Sequence, residues 1–341
     1  MIRAALRFLF HWLRLGVGWA AYLLTGRSPA FAYQSLVLLF CRSGGASNDA
    51  LSRRISRARP AYRFPDAAGV LGDLSGQNLA EFTGRLDRDG YCVFPVLLPE
   101  AICQRLTEFA LRQPSVIRRD ESGSAAGGAR VAYAEDRAAP RGVSYDFGQN
   151  EILANRDVQA LLCDRSLLSV AQSYLRAQPM ADVLAFWWNT AFNAAPSEAS
   201  AQYFHFDMDR VKWLKFFFHL SDVGPESGPH SFVRGSHRTG GIPERLLAKG
   251  YARLRDDDVR DCYPASDFVE FQAPRGTILA EDTRGLHKGK VVTRGDRLIL
   301  QLQFSSSLFG ATYPKSRLPA EVEPGLRQAL AAYPRIYAAF R

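Results

Sequence analysis

The sequence predicts a mainly β fold with flanking helices, an α+β jelly roll with an amphipathic helical segment at its N-terminus. Three observations predict it. From Met180 to about Phe309 the chain reads as short strands separated by turns. Two of these strands alternate sharply in polarity, as strands with one face on a hydrophobic layer do. Ahead of them, and at the extreme N-terminus, apolar residues recur at helical spacing. The 341 residues suffice for one large core with an appendage. Hydrophobic (47%) and charged (23%) fractions are those of an ordinary globular protein. Five scattered cysteines, odd in number and never spaced C-x-x-C, argue against a disulfide framework or a zinc site and for a reducing compartment.

The first element is the N-terminal segment, residues 1–60. It contains nine arginines, no lysine and one acid, Asp49, a net +8 that leaves about +1 of the total +9 for the rest of the chain. Charge confined to one apolar terminus points to a membrane surface rather than to nucleic acid, and no basic patch interleaved with aromatics appears elsewhere. Arg3, Arg7, His11 and Arg14 fall on one helical face, with Leu6, Leu9, Phe10, Leu13 and Val17 among the residues around them. This pattern predicts an interfacial helix with its arginines toward head groups. A second apolar run, Pro29 to Cys41, is uncharged. Neither run has the roughly 18–20 uninterrupted apolar residues of a spanning helix. The expected partner of residues 1–42 is an anionic membrane, with the catalytic domain peripheral on its cytoplasmic side. Insertion into one leaflet, a mitochondrial transit peptide, a secretory signal, and a pair of helices packed on the catalytic domain are the competing readings.

From Ser43 to about Ala68, Ser, Arg, Ala and Pro predominate, which reads as a linker. The folded domain is expected at 75–310, starting near Ser75. Its expected elements are a helix over Asn78–Leu86, a turn at Asp89-Gly90, a strand over Tyr91–Leu97 and a helix over Pro99–Leu111. A loop over Ser122–Arg130 and helical periodicity over Asn155–Ala177 follow. Residues 311–341 form a C-terminal helical extension.

Two strands suggest a cavity. Over Lys212–Leu220, one face carries Leu214, Phe216, Phe218 and Leu220. Over Arg297–Phe304, Leu298, Leu300, Leu302 and Phe304 share a face, while Arg297, Gln301 and Gln303 share the other with Ile299. In a double-sheet jelly roll the polar face can line a cavity, and Arg297 is then a fixed cation suited to bidentate capture of a carboxylate. An exposed face with Arg297 as a surface charge is the alternative. Within Tyr203-Phe204-His205-Phe206-Asp207, His205 and Asp207 are two apart, so on a strand they present an imidazole and a carboxylate to one point. A third ligand from a distant strand would complete the 2-His-1-carboxylate triad that holds non-haem Fe(II) with open positions.

These residues occur in an order that resembles the phytanoyl-CoA dioxygenase family. The order is Tyr203 to Asp207, then Ser227-Gly228-Pro229-His230-Ser231-Phe232-Val233-Arg234-Gly235-Ser236-His237, then Gly276 to His287, then Arg297. The resemblance spans roughly Asn78 to Phe309. Two positions depart from the usual pattern, Arg234 before Gly-Ser-His and His230 in place of a small or aliphatic residue. The resemblance implies a double-stranded β-helix (cupin-like) fold and an Fe(II)- and 2-oxoglutarate-dependent dioxygenase that uses O2. It implies that His205, Asp207 and His287 bind iron and that Arg297 holds the distal carboxylate of 2-oxoglutarate. Lys215 is the second candidate for that clamp, and Tyr203 could hydrogen-bond the co-substrate or simply line the barrel. Asp209 shares the parity of His205 but lies further along the strand, so Asp207 is preferred. His237 and His219 are expected to be structural.

The expected reaction is hydroxylation of an aliphatic C–H with release of succinate and CO2. The expected substrate is small or membrane-linked, a lipid or glycolipid. An acyl-CoA or secondary metabolite is the alternative by family analogy. A catalytically retired binding module, or a jelly-roll metal protein without 2-oxoglutarate, are the readings from other classes.

Overall fold

The computed structural model describes residues 2–64, 67–74, 76–118, 130–193, 195–196 and 201–340, with side chains from Leu6 onward. The expected domain start at Ser75, residues 122–129 of the expected loop, and the side chain of Arg3 fall outside this set.

Three helices open the chain: α1 (Ile2–Thr25), α2 (Ala30–Ser43) and α3 (Ala46–Ala58). Gly44 and Gly45 both take left-handed φ (58° and 92°) and so turn α2 directly into α3. The linker reading of Ser43–Ala68 is therefore corrected, because most of it is helix. Of the arginines that made it look like a linker, Arg53, Arg54 and Arg57 are exposed on α3, while Leu51 and Ile55 point inward. Helices α4 (Gln77–Asp89), α5 (Glu100–Arg112) and α6 (Arg165–Leu175) follow the expected positions closely. The expected 155–177 helix is broken in two because Asp164 caps α6, its carboxylate accepting from Leu167 N at 3.0 Å. A final helix, α7 (Pro324–Ala332), starts with proline in its first turn, where no backbone N–H is lost.

The strands are β1 (Tyr91–Leu97), β2 (Pro114–Arg118), β3 (Arg130–Ala132), β4 (Ser144–Asp146), β5 (Met180–Thr190), β6 (Trp213–His219), β7 (His230–Val233), β8 (Phe268–Phe271), β9 (Thr277–Glu281), β10 (His287–Gly289) and β11 (Asp296–Ser305). An eight-stranded antiparallel sheet has the order β1-β9-β6-β11-β5-β4-β2-β3, and a three-stranded sheet the order β8-β7-β10. Jelly-roll sheets flanked by helices are the architecture the alternating strands predicted. In register, Gln303 faces Lys215, Gln301 faces Phe217 and Ile299 faces His219. Arg297 faces Asn189 on the opposite neighbour. Pairing of this kind sends the polar parity of β11 and the Lys215 parity of β6 to one face. The other parity, Leu298, Leu300, Leu302 and Phe304 with Leu214, Phe216 and Phe218, packs beneath α4–α6.

A second core joins the N-terminal helices to the catalytic domain. Leu15 of α1, Leu36, Leu39 and Phe40 of α2, and Leu51 and Ile55 of α3 are buried with Phe204, Phe206, Met208, Val211, Leu286 and Phe309. Asn48 Nδ2 donates to the Val211 carbonyl at 3.0 Å, and Asp49 pairs with Arg284 at 3.0 Å. The helices packed on the domain, one of the competing readings, are what the structure contains. The expected basic face of α1 is also rearranged. His11 Nδ1 lies 3.1 Å from Ser35 Oγ of α2, and the Arg14 guanidinium covers the rings of Phe10 and Phe31.

Candidate active site

Residues 203–207 do not form a continuous strand. His205 instead makes an isolated antiparallel bridge to His287, at the start of β10. Each donates its backbone N–H to the other's carbonyl, at 3.0 and 2.8 Å. Such a mutually bonded pair sets two side chains abreast. The two imidazoles end up 4.2 Å apart between centroids. Asp207 is anchored separately, its N–H donating to Thr283 O at 2.8 Å. Asp207 Oδ1 lies 3.8 Å from His205 Nε2, and Oδ2 lies 3.5 Å from His287 Nε2. One ligand atom from each of the three residues falls within 4.8 Å of the others.

The tautomers are set by neighbours. His205 Nδ1 faces the Tyr203 carbonyl at 2.9 Å and His287 Nδ1 faces the Gly285 carbonyl at 3.0 Å. Both Nδ1 atoms must donate, so both Nε2 atoms present lone pairs to the centre. Burial lowers the pKa of both imidazoles, which keeps them neutral. Burial opposes charge on Asp207, but the Lys215 ammonium outweighs it and holds the carboxyl well below its usual range. Two neutral imidazole nitrogens and one carboxylate, converging on one point, are the donor set that suits Fe(II).

Lys215 is committed to carboxylates, with Nζ 2.6 Å from Asp207 and 3.2 Å from Asp209. Asp209 is held further by Tyr313, whose hydroxyl donates to Oδ1 at 2.6 Å. Among the described residues Arg297 has no such partner. It is 6% exposed, donates from Nη2 to the neutral Asn189 Oδ1 at 2.7 Å, and leaves Nε buried and unbonded among the described residues. Burial pushes the guanidinium down to about 10. A buried, unpaired guanidinium fits the distal carboxylate of 2-oxoglutarate. Tyr203 enters the site through its carbonyl.

Sequence reasoning missed the contacts that surround His287 and Thr283. His230 Nε2 lies 3.0 Å from Glu281 Oε1, and its ring sits 5.5 Å from that of His287. The departure at His230 was visible in the sequence, but its partner on β9 was not. Asp282, Arg284 and Tyr174 form a buried cluster behind Thr283, with Arg284 Nη2 2.7 Å from Asp282. Beside the site lies a cavity of about 640 Å³, walled by Tyr33 and Val37 of α2 and by Leu247 and Tyr251. Burial, then the charges of Asp209 and Asp207, push the Tyr33 phenol up to about 12.

A sequence model of the phytanoyl-CoA dioxygenase family (PhyH) matches residues 86–297, more than half of the chain. Similar solved structures include HygX from Streptomyces hygroscopicus with nickel and 2-oxoglutarate bound. It shows 19% identity and a TM-score of 0.46 over 72% of this chain and 93% of that one. AviO1 from Streptomyces viridochromogenes Tue57 shows 16% identity and a TM-score of 0.43, covering 68% and 96%. The epimerase SnoN in complex with Fe3+, alpha ketoglutarate and nogalamycin RO shows 17% identity and a TM-score of 0.42, covering 66% and 82%. No curated protein matches the chain. At these identities the assignment rests on the family match.

Proposed function

The chain belongs to the phytanoyl-CoA dioxygenase family, and on that premise we propose that it hydroxylates an aliphatic C–H of a small or membrane-linked substrate at His205, Asp207 and His287. It is a 2-oxoglutarate-dependent oxygenase that uses iron, 2-oxoglutarate and O2. The observation that carries the residue assignment is the pair of outward-locked imidazoles facing an ionised Asp207, with an unpaired Arg297 in the same interior. His205, Asp207 and His287 would hold iron, which would supply the chemistry of an O2-dependent oxidation coupled to conversion of 2-oxoglutarate to succinate and CO2. The protein's residues position and protect. Lys215 orients Asp207 and keeps it ionised, Arg297 takes the distal carboxylate, and Phe217, Phe232 and Ile299 exclude water from the interior. Tyr33 and Tyr251 stand where a substrate in the 640 Å³ cavity would be met.

Anaerobic Fe(II) titration with succinate assays tests this reading. His205→Ala, Asp207→Ala and His287→Ala should each lose iron binding and turnover. Undiminished succinate production by Asp207→Ala would overturn the ligand assignment. For the substrate, lipid extracts with and without the protein should differ by a gain of one oxygen in a mass spectrum.

The membrane-linked reading is supported by the surface of α1. Among the described residues, eight of the twelve exposed large hydrophobics lie on this one helix. Leu6, Leu9, Leu13, Val17 and Leu24 make a stripe at spacings of three, four, four and seven, and each is more than half exposed. Soluble surfaces rarely carry such a patch without a partner. Among the described residues no helix is long and apolar enough to cross a membrane, so the stripe suits an interfacial position. Leu13→Glu with Val17→Glu should abolish flotation on anionic vesicles without lowering the melting temperature. Unchanged flotation would exclude the stripe as the contact.

A further inference from the structure

A second cavity lies outside the iron site. It has a volume of about 670 Å³ and runs between α1 and α3, with Ser307 and Arg335 also in its lining. Its α1 side extends from Trp12 to Leu23, about 16 Å of helix. Trp12, Leu15 and Trp19 face Leu51 and Ile55 across it. The polar end is formed by Arg54, Arg59 and Arg335, and no Asp or Glu is among the described residues that line it.

Several facts show that this polar end lacks an anion. Arg335 Nε is buried with no hydrogen-bond partner among the described residues. No described acid forms a salt bridge with Arg54, Arg59 or Arg335, whereas other arginines of the chain find Asp or Glu, such as Arg284, Arg210 and Arg105. Burial, and after it the positive charge of Arg59, lower the Arg335 guanidinium from its ordinary value. Guanidiniums gathered without a counter-charge repel one another, and an anion with several acceptor oxygens would relieve that repulsion through charge-assisted hydrogen bonds. The apolar end calls for a hydrocarbon chain. The cavity opens past Gly16 and Leu23, both exposed, beside the Val17–Leu24 part of the bilayer-facing stripe.

We propose that this groove holds one anionic phospholipid of the bilayer. An acyl chain lies along Trp12 and Trp19, and the headgroup phosphate sits on Arg54, Arg59 and Arg335. The site extends the interfacial reading of α1 and adds selectivity for anionic lipid to a contact that the apolar stripe alone would make with any bilayer. It is separate from the iron ligands, so lipid capture and oxygenation are distinct properties of the protein.

The test uses full-length protein and two probes. The first is a monoacyl phosphate (lysophosphatidic acid) below its micelle concentration, read by the fluorescence of Trp12 and Trp19, with Trp19→Phe to assign the signal. The second is flotation on phosphatidylcholine vesicles with and without phosphatidylglycerol. The monoacyl phosphate should bind saturably, one per chain, and more tightly than lysophosphatidylcholine. Arg59→Gln with Arg335→Gln should weaken it by at least about tenfold. Arg53→Gln with Arg57→Gln removes the same charge from α3 outside the groove and should change it less than about twofold. Equal losses in the two double variants, or equal binding of the zwitterionic lipid, would overturn the site. Saturable binding of the monoacyl phosphate by a protein that ignores anionic vesicles would overturn the bilayer as the source and, with it, the interfacial reading of α1. Flotation lost in Leu13→Glu but monoacyl phosphate still bound is the result expected if both hold.

Discussion

Replacing Arg297 by methionine should separate the stability of the protein from its affinity for 2-oxoglutarate. The guanidinium is 6% exposed, and its described hydrogen bond is to a neutral amide, Asn189. Burial alone lowers its pKa from the ordinary arginine value to about 10. At neutral pH the folded state therefore carries a cation it holds less well than the unfolded chain does. The penalty is on the order of 3 kcal/mol at about 1.4 kcal/mol per unit. Methionine removes this penalty and fills similar space. Asn189 is not orphaned, because Trp187 Nε1 also donates to its Oδ1 at 2.8 Å. The variant without co-substrate should thus be at least as stable as the wild type. Loss of a charge-assisted contact worth about 1.5–3 kcal/mol should raise the dissociation constant for 2-oxoglutarate about ten- to 150-fold. Iron affinity should stay the same, since Arg297 touches none of the three ligands. Calorimetry with Fe(II)-loaded protein measures the affinity, and thermal melts with and without 2-oxoglutarate measure the linked stabilisation, which should vanish in the variant. An unchanged dissociation constant would refute the clamp. So would the same defect appearing in Lys215→Met and not in Arg297→Met.

Other outcomes follow from neighbouring contacts. Phe40→Ala, which removes a ring stacked 5.3 Å from Phe206, should cost about 3–5 kcal/mol in a denaturant titration and loosen Fe(II) binding, because Phe206 lies between two ligands. Gly90 has φ of 89°, and a Cβ there would meet His237 Nδ1 at 2.6 Å and Phe232 Cζ at 2.7 Å, so Gly90→Ala should destabilise by about 2–5 kcal/mol. Burial of Asp282 is outweighed by Arg284, and its pKa is lowered to about 2 from a reference of 3.8. A depressed acid stabilises the fold above its unfolded pKa. About 2 kcal/mol should therefore be lost as pH falls from about 4 to 2, and Asp282→Asn should flatten the stability profile in that window.

The grouping of His205, Asp207 and His287 was legible in the sequence because the first two form a short local pattern and the third follows from the family resemblance. H-x-D and a late histidine survive whatever surrounds them, although the bridge that joins His205 to His287 replaced the expected strand. Arg297 was legible through strand parity, which is a property of the backbone alone. The contacts that surround His287 and Thr283 were not legible. Glu281 meets His230 across 51 positions and Asp49 meets Arg284 across 235, and nothing local to either member announces its partner.

The N-terminal helices show the limit most clearly. Their apolar periodicity by itself determined that each has a face to bury, and the arginine count determined their charge. Which surface covers each face is a tertiary matter, since lipid and protein interiors are equally apolar and leave the same 3.6-residue pattern. Only the fold decided that α2 and α3 close over Phe206 and Val211, and that Leu15 turns inward while Leu13 and Val17 remain outside. The same distinction applies to Lys215. Its parity on β6 placed it on the face of Gln303, but packing placed its ammonium 2.6 Å from the Asp207 carboxylate and left Arg297 without an acid among the described residues. A one-dimensional pattern specifies direction; distances between charges on different strands depend on how the sheets close.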